Sequence, residues 1–484
     1  MSLGKPIIGV LTDPEIDLVH KASVDILEQV GVYLPVREAL DIFRNSGAKV
    51  DYDTHIAKIP PHVVETCIRK VPSEFNLYSR NSKFDLKIAP GSTYYAAGAG
   101  STRLIDIDTA ECRDATIDDL AMTVRLVDAL DNIFVNTETV LPRDVPPAVS
   151  SQYMWATMLR NTAKNCEVYL GDMNSVRDAV RMASAVVGSE EQLVKKPIIH
   201  FLSCVGQPLT YEKAFLEGFM EVAKRKIPML LQSGAAAGAT GPATLAGTLA
   251  LVNAEILSEI ILSQLISPGL PVFYGNWART FDMKSQVICF AGPEYVLMRI
   301  AAGQLVKRYG IPLAMGGFQA DSKILDIQGG YEKYIALISV LAESNLIVGS
   351  GMLDAASILD PLNFIIDDEL AASYSRVKRG FEVNTDTLAL DVIKSVGCGP
   401  ARNFLAKEHT LKNFRKETWL GYKTIERRPW ELWNRDGAKD TRQRLRERAK
   451  EIIKTYQPER LPADVDRELD LILKEAHARM PVYS

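Results

Sequence analysis

The chain has 484 residues, of which 47% are hydrophobic and 24% charged, enough to bury a large core in more than one structural unit. A formal net charge of -4 and a pI near 6.0, with no run of Lys and Arg interleaved with aromatics, exclude a nucleic-acid surface. The six cysteines (Cys67, Cys112, Cys166, Cys204, Cys289, Cys398) lie far apart without CxxC, HxC or HxxxH spacing, so neither a disulfide framework nor a bound metal is expected.

The opening MSLGKPIIGVLTDPEID acquires acids early and has no long apolar core, so it does not read as a secretory signal. No later stretch is both long and free of charge or punctuation, so a cytoplasmic location and no membrane contact are expected. Residues 1–90 read as an N-terminal cap: a helix over Asp17 to Val30 with Leu18, Val19, Ala22, Ile26 and Leu27 at helical spacing, and a second over Val36 to Ser46 before Gly47. A short helix opened by proline follows in Ile59 to Pro72, then a short alternating strand in Phe75 to Arg80.

From about residue 93 the rhythm changes to short apolar strands, each followed by a helix. The strands are expected at Thr93–Gly100, Asn132–Glu138, Glu167–Asp172, Ile198–Cys204, Met229–Gly234, Val272–Trp277, Leu313–Phe318 and Leu346–Met352. Between them lie helical patterns at Pro147–Asn161, Ser175–Val187, Tyr211–Lys224, Pro242–Leu265, Pro293–Tyr309 and Gln328–Glu343, and Thr116 with Asp119 forms a capping box ahead of another. Pro197, Pro228, Pro271 and Pro312 stand at strand starts, where a missing N–H is tolerated. Eight such units over this length predict an α/β fold, a (β/α)8 TIM barrel over residues 91–360. The alternative, an open doubly wound sheet, lacks support: Gly98-Ala-Gly100 has Arg103 where GxGxxG needs its third glycine, and Gly234 to Pro242 lacks the GK[ST] of a P-loop. Residues 361–484 form a charged helical extension packed on the barrel, with amphipathic helices at Arg442–Lys454 and Asp464–Arg479.

In such a barrel the chemistry sits at the C-terminal strand ends. The tips offer Tyr95, Glu138, Asp172, Gln232, Tyr274, Asn276, Trp277, Phe318, Gln319, Asp321 and Ser350 as substrate-binding candidates, and no catalytic residue is singled out. Aromatics with carboxylates and few cations suit a quaternary ammonium, held on ring faces for about 0.5 to 2 kcal/mol per contact. On this reading Tyr95, Tyr274, Trp277 and Phe318 form a cage, Glu138, Asp172 and Asp321 balance charge, and Gln232, Asn276, Gln319 and Ser350 orient the polar end. Arg279 meets a carboxylate if its loop turns inward. The same aromatics also fit plain packing of the loop layer, and Glu138 and Asp172 also fit ion pairs with Arg143 or Arg177. His200, inside the apolar run IIHFL, reads as a satisfied core histidine; His409 fits a helix cap or the mouth equally. The absence of a tip lysine argues against Schiff-base chemistry.

Several stretches carry a resemblance: LVHKASVDILEQVGV, IPPHVVETCIRKVPSEFNLYSRN, QSGAAAGATGPATLAGTLAL, AGPEYVLMRIAAGQLVKRYGIP and DSKILDIQGGYEK. Together they resemble the trimethylamine methyltransferase superfamily across nearly the whole chain. The resemblance implies a TIM barrel that transfers a methyl group from a methylamine to the cobalt of a corrinoid (cobalamin) on a separate protein, and a homo-oligomer. Only standard residues occur, so the chain resembles the branch without pyrrolysine, which includes methyltransferases for quaternary amines such as glycine betaine. No DxHxxG motif for a lower cobalt ligand is present, so a partner corrinoid protein is implied. A tertiary-amine or methylated-pterin donor, or a betaine-binding protein without turnover, are the alternatives.

Overall fold

The computed structural model describes residues 8–480. The first seven residues, part of the opening stretch read above as lacking a secretory signal, lie outside the described residues. Eight parallel strands close into a barrel: β1 (Tyr94–Ala97), β2 (Val135–Thr137), β3 (Asn165–Tyr169), β4 (Ile199–Cys204), β5 (Met229–Ser233), β6 (Val272–Asn276), β7 (Leu313–Gly316) and β8 (Leu346–Ser350). Each pairs with its neighbour in chain order, Ala96 of β1 standing beside Val135 of β2, and the barrel closes where β8 pairs with β1, Ser350 beside Ala97. All eight strands stand where the apolar runs placed them. The runs are nearly continuous because each strand is buried on both faces, against the barrel interior and against the helices.

The entry prolines act as expected: with no N–H of their own, Pro197, Pro228, Pro271 and Pro312 still accept through their carbonyls from Tyr78, Phe201, Met229 and Tyr274. The outer layer includes Leu245–Ile266, the one helix among the described residues long and apolar enough to cross a membrane. It is buried without interruption from Thr248 to Gln264, between the barrel wall and the N-terminal helices Asp13–Gln29 and Pro61–Ile68. A helix apolar all round is the pattern of a helix covered on every side. Ser23 of the first helix donates to the carbonyl of Ala250 at 2.9 Å, fixing the cap to the barrel.

The sequence reading did not separate the last barrel helix, Pro361–Arg379, from the charged C-terminal region. Asp360 caps it by accepting from the Leu362 N–H at 3.0 Å. Helix Thr441–Thr455 packs on this helix, and Ala463–Ala478 packs on Met173–Val187. The hairpin arm expected at Thr102 to Ile107 is present, Arg103–Ile105 pairing antiparallel with Cys112–Asp114, whereas the sheet in the connection after β6 is unforeseen. Arg279–Asp282 and Val287–Cys289 pair as a hairpin after β6, and Ala236–Ala237 joins it as a third strand.

Candidate active site

Strand alternation decides which residues reach the barrel interior, because neighbours along a strand point to opposite faces. Glu167 and Tyr169 of β3, Leu202 of β4, Gln232 of β5 and Val348 of β8 line a cavity of about 130 Å³ at the C-terminal end of the barrel. That is the space of roughly four waters at about 30 Å³ each. Larger clefts exist on the outside, one of about 520 Å³ beside the N-terminal helix and one of about 1030 Å³ along the C-terminal segment. Neither adjoins the strand tips, where barrels of this kind assemble their chemistry.

The roof comes from the hairpin after β6 and the turn after β7. Trp277, Arg279 and Phe290 enter from the hairpin side, and Gln319 from the turn. The Arg279 guanidinium lies 5.0 Å from the centre of the Phe290 ring. It forms no ion pair among the described residues, and its Nε is buried without a hydrogen-bond partner. Burial draws its pKa below the usual guanidinium value. Gly234 makes room for it: a Cβ there would stand 2.7 Å from Arg279 Nη1. Gln319 is accommodated the same way, since a Cβ at Gly316 would stand 2.6 Å from its Oε1. That Oε1 is buried with no partner.

Below the roof, Glu167 Oε2 faces His200 Nε2 at 3.2 Å, and His200 Nδ1 faces Asn165 Oδ1 at 2.9 Å. Glu138, at the end of β2, is also buried; its Oε1 accepts from Trp155 Nε1 at 2.5 Å and from the Tyr169 N–H at 3.0 Å. Burial pushes its carboxyl up to about 7, against the pull of these two donors.

Of the residues singled out in the sequence, Gln232, Trp277 and Gln319 line the cavity, and so does Arg279, whose loop turns inward. The expected four-ring cage is not assembled. Tyr95 and Tyr274 have the opposite parity and face the helices: Tyr95 Oη meets Ser375 Oγ at 3.1 Å, and Tyr274 donates to Asn253 Oδ1 at 2.9 Å. Phe318, past the end of β7, stacks on Tyr374 of the last barrel helix at 6.3 Å. Asn276 also turns outward and holds Arg299 through its Oδ1 and carbonyl. Ser350 donates to Asp367 at 3.0 Å behind β8.

The three carboxylates separate as well. Glu138 does not pair with Arg143; it serves Trp155 and Tyr169 instead. Asp172 is the N-cap of helix Met173–Val187, accepting from the N–H groups of Asn174 and Ser175, while Arg177 pairs with Glu221. Asp321 accepts the backbone N–H groups of Phe290 and Ala291 at 2.9 and 3.0 Å, so it fixes the hairpin. His200 has both ring nitrogens partnered, and His409 lies at the start of the exposed helix Glu408–Glu417, away from the mouth. The sequence reading passed over Glu167 and Tyr169, although EVYLGD alternates so that residues two apart share a face. Phe290 carried no signal, because the hairpin was not foreseen. Among the described residues no cluster of three or more His, Cys, Asp or Glu is placed to hold a metal ion.

Fold and mouth define a TIM-barrel enzyme whose polar cavity is roofed by an inserted hairpin. Known proteins narrow this. The model of the trimethylamine methyltransferase (MTTB) family matches residues 2–481. The chain is 34% identical over 465 residues to trimethylamine methyltransferase MttB of Desulfitobacterium hafniense strain DSM 10664 / DCB-2, covering 96% of this chain and 93% of that protein. It is 30% identical over 473 residues to a glycine betaine methyltransferase of D. hafniense strain Y51, covering 97% of each. Among solved structures, the Methanosarcina barkeri monomethylamine methyltransferase MtmB shares the fold at a TM-score of 0.53 and 10% identity, over 99% of this chain and 90% of that one. The chain belongs to the trimethylamine methyltransferase (MTTB) family and is a methyltransferase.

Proposed function

We propose that this enzyme moves a methyl group from a zwitterionic quaternary amine, glycine betaine in the first place, to the Co(I) of a corrinoid carried by a separate protein. Arg279 is the chief support. An unpaired guanidinium in the cavity wall repels a bare trimethylammonium ion, whereas a betaine brings a carboxylate to meet it and an ammonium for the opposite side. Tyr169 and Trp277 supply ring faces for the ammonium, and Glu167 borders it from the floor. Gln232 and Gln319 orient the polar end, and the unpartnered Gln319 Oε1 suits the polarised hydrogens of an N-methyl group.

The residues on the page bind, orient and desolvate the donor. A quaternary nitrogen leaves as a neutral amine, so in-line attack on the methyl carbon requires positioning more than activation. The corrinoid supplies the nucleophile from outside the cavity. The relative named as a glycine betaine methyltransferase supports the donor class, and the one named for trimethylamine supports a tertiary amine as the second reading. A cytoplasmic enzyme and a homo-oligomer belong to the same proposal; exposed Phe381, Leu405, Leu411 and Trp430 in the C-terminal segment support self-association.

The test is methylation of free cob(I)alamin with glycine betaine, proline betaine, carnitine, tetramethylammonium, trimethylamine and a methylated pterin as donors. Turnover with betaines and none with trimethylamine is the expected result. Turnover with trimethylamine alone overturns it, and tight betaine binding without turnover on any donor assigns a binding role instead.

A further inference from the structure

Glu167, His200 and Asn165 form a chain whose hydrogen-bond sense is fixed from one end. Asn165 Nδ2 donates to the carbonyls of Tyr78 and Pro197 at 2.8 and 3.1 Å, so its Oδ1 is the atom turned toward His200. An acceptor there requires His200 Nδ1 to carry hydrogen. His200 Nε2 then faces Glu167 Oε2, and a carboxylate opposite a neutral imine nitrogen would set two lone pairs against each other at 3.2 Å. Both side chains are buried, at 2% and 0% exposure, so water does not separate them. The contact is satisfied only if one proton lies between them, on the imidazole or on the carboxyl.

Glu167 borders the cavity, and among the described residues its Oε1 has no hydrogen-bond partner. His200 lies behind it, with its ring 6.1 Å from Phe273 on β6. The other ionisable groups on the facing elements are committed or remote from this contact. Glu138 of β2 serves Trp155 and Tyr169, Tyr169 of β3 places its hydroxyl 3.4 Å from the Ala99 carbonyl, Cys204 stands at the tip of β4, and Arg279 lies in the roof.

We propose that Glu167 and His200 share one proton at the floor of the cavity and that Glu167 passes it to the amine that has lost its methyl group. This rests on the amine-binding reading above. In the step, the C–N bond breaks with its electron pair left on nitrogen, and the methyl carbon bonds to the partner's Co(I), which is oxidised to Co(III). The nitrogen lone pair takes the proton from Glu167, leaving a carboxylate beside a new ammonium and His200 neutral. The product is held as an N–H donor to Glu167, and solvent restores the proton after release. Glu167 is the proton donor; His200, acting through it, is a positioning residue.

Binding measured without corrinoid separates the possibilities. Calorimetric titration in two buffers of different ionisation enthalpy counts protons exchanged when glycine betaine or N,N-dimethylglycine binds. Dimethylglycine, already an ammonium in solution, is expected to displace about one proton from the wild-type pair, while betaine, with no N–H, displaces none. Glu167→Gln is expected to abolish the difference, because the amide has no proton to give up to the bound ammonium. His200→Gln is the second variant, and ¹⁵N spectra of histidine-labelled protein should show a resonance, lost in that variant, that shifts when dimethylglycine binds. If neither ligand binds, the amine reading itself fails. If both bind with equal proton counts, or if the difference survives in Glu167→Gln, the proton pair is overturned.

Discussion

Asp321 holds the roof of the cavity from the turn after β7: its Oδ1 accepts the Phe290 N–H at 2.9 Å and its Oδ2 the Ala291 N–H at 3.0 Å. Both bonds are to an ionised acceptor in a half-buried setting, a class that contributes about 1.5 to 3 kcal/mol each. Asp321→Asn keeps the shape and removes the charge. It should raise the KM for betaine about tenfold while kcat falls less, because the hairpin that carries Arg279 loosens. Limited proteolysis between 279 and 291 should become faster; an unchanged cleavage rate would separate Asp321 from the hairpin.

Arg279→Met tests the carboxylate subsite against its own control. Loss of a charge-assisted pair of about 1.5 to 3 kcal/mol corresponds to roughly a 10- to 100-fold weaker affinity for glycine betaine. Tetramethylammonium, lacking the carboxylate, should bind no more weakly than to wild type. Equal losses for both ligands would show a packing role instead.

Tyr274→Phe and Tyr95→Phe should leave betaine affinity within about twofold. Their hydroxyls serve Asn253 and Ser375 on the outer side of the wall. Removing the Tyr274 hydroxyl leaves Asn253 Oδ1 short of a donor, so thermal unfolding should register a loss of about 1 to 2 kcal/mol. A large change in affinity with unchanged stability would place these rings in the binding path after all.

Glu255 gives a pH test of folding. Burial raises its carboxyl to about 7 although the Leu209 N–H and Ser233 Oγ both donate to it. The folded protein therefore keeps a proton that the unfolded chain loses from about 4.5 upward, and stability falls as pH rises from about 4.5 to 7. A shift of this size corresponds to about 3 kcal/mol at most. Glu255→Gln should flatten that part of the pH dependence of the melting temperature and exceed wild type at pH 8. A slope unchanged from wild type would show that Glu255 is already ionised in the fold.

The barrel was legible because strand burial on two faces writes itself as apolar runs and because proline marks the strand starts. The site was half legible. The tip residues stand out by type, but their parity depends on the strand register, and a shift of one residue exchanges interior for exterior. By type alone Tyr95, Tyr274 and Asn276 group with Gln232, although their side chains lie across the wall from it. Asp321 and Asp172 look alike as tip acids, yet one clamps a hairpin and the other caps a helix, a distinction set by backbone N–H groups that sequence does not display. Phe290 entered the cavity through a hairpin whose strands are too short to announce themselves by alternation.

That hairpin contributes Arg279 and Phe290 to the cavity while contributing nothing to the barrel's closure. On the proposed reading, recognition of the donor's acid end resides in this hairpin, whereas the proton-bearing floor resides in the barrel strands. On that reading, exchanging the hairpin alone would retune the donor this chain accepts: replacing the guanidinium while keeping the floor would admit donors without an acid group, with no repacking of the strands beneath.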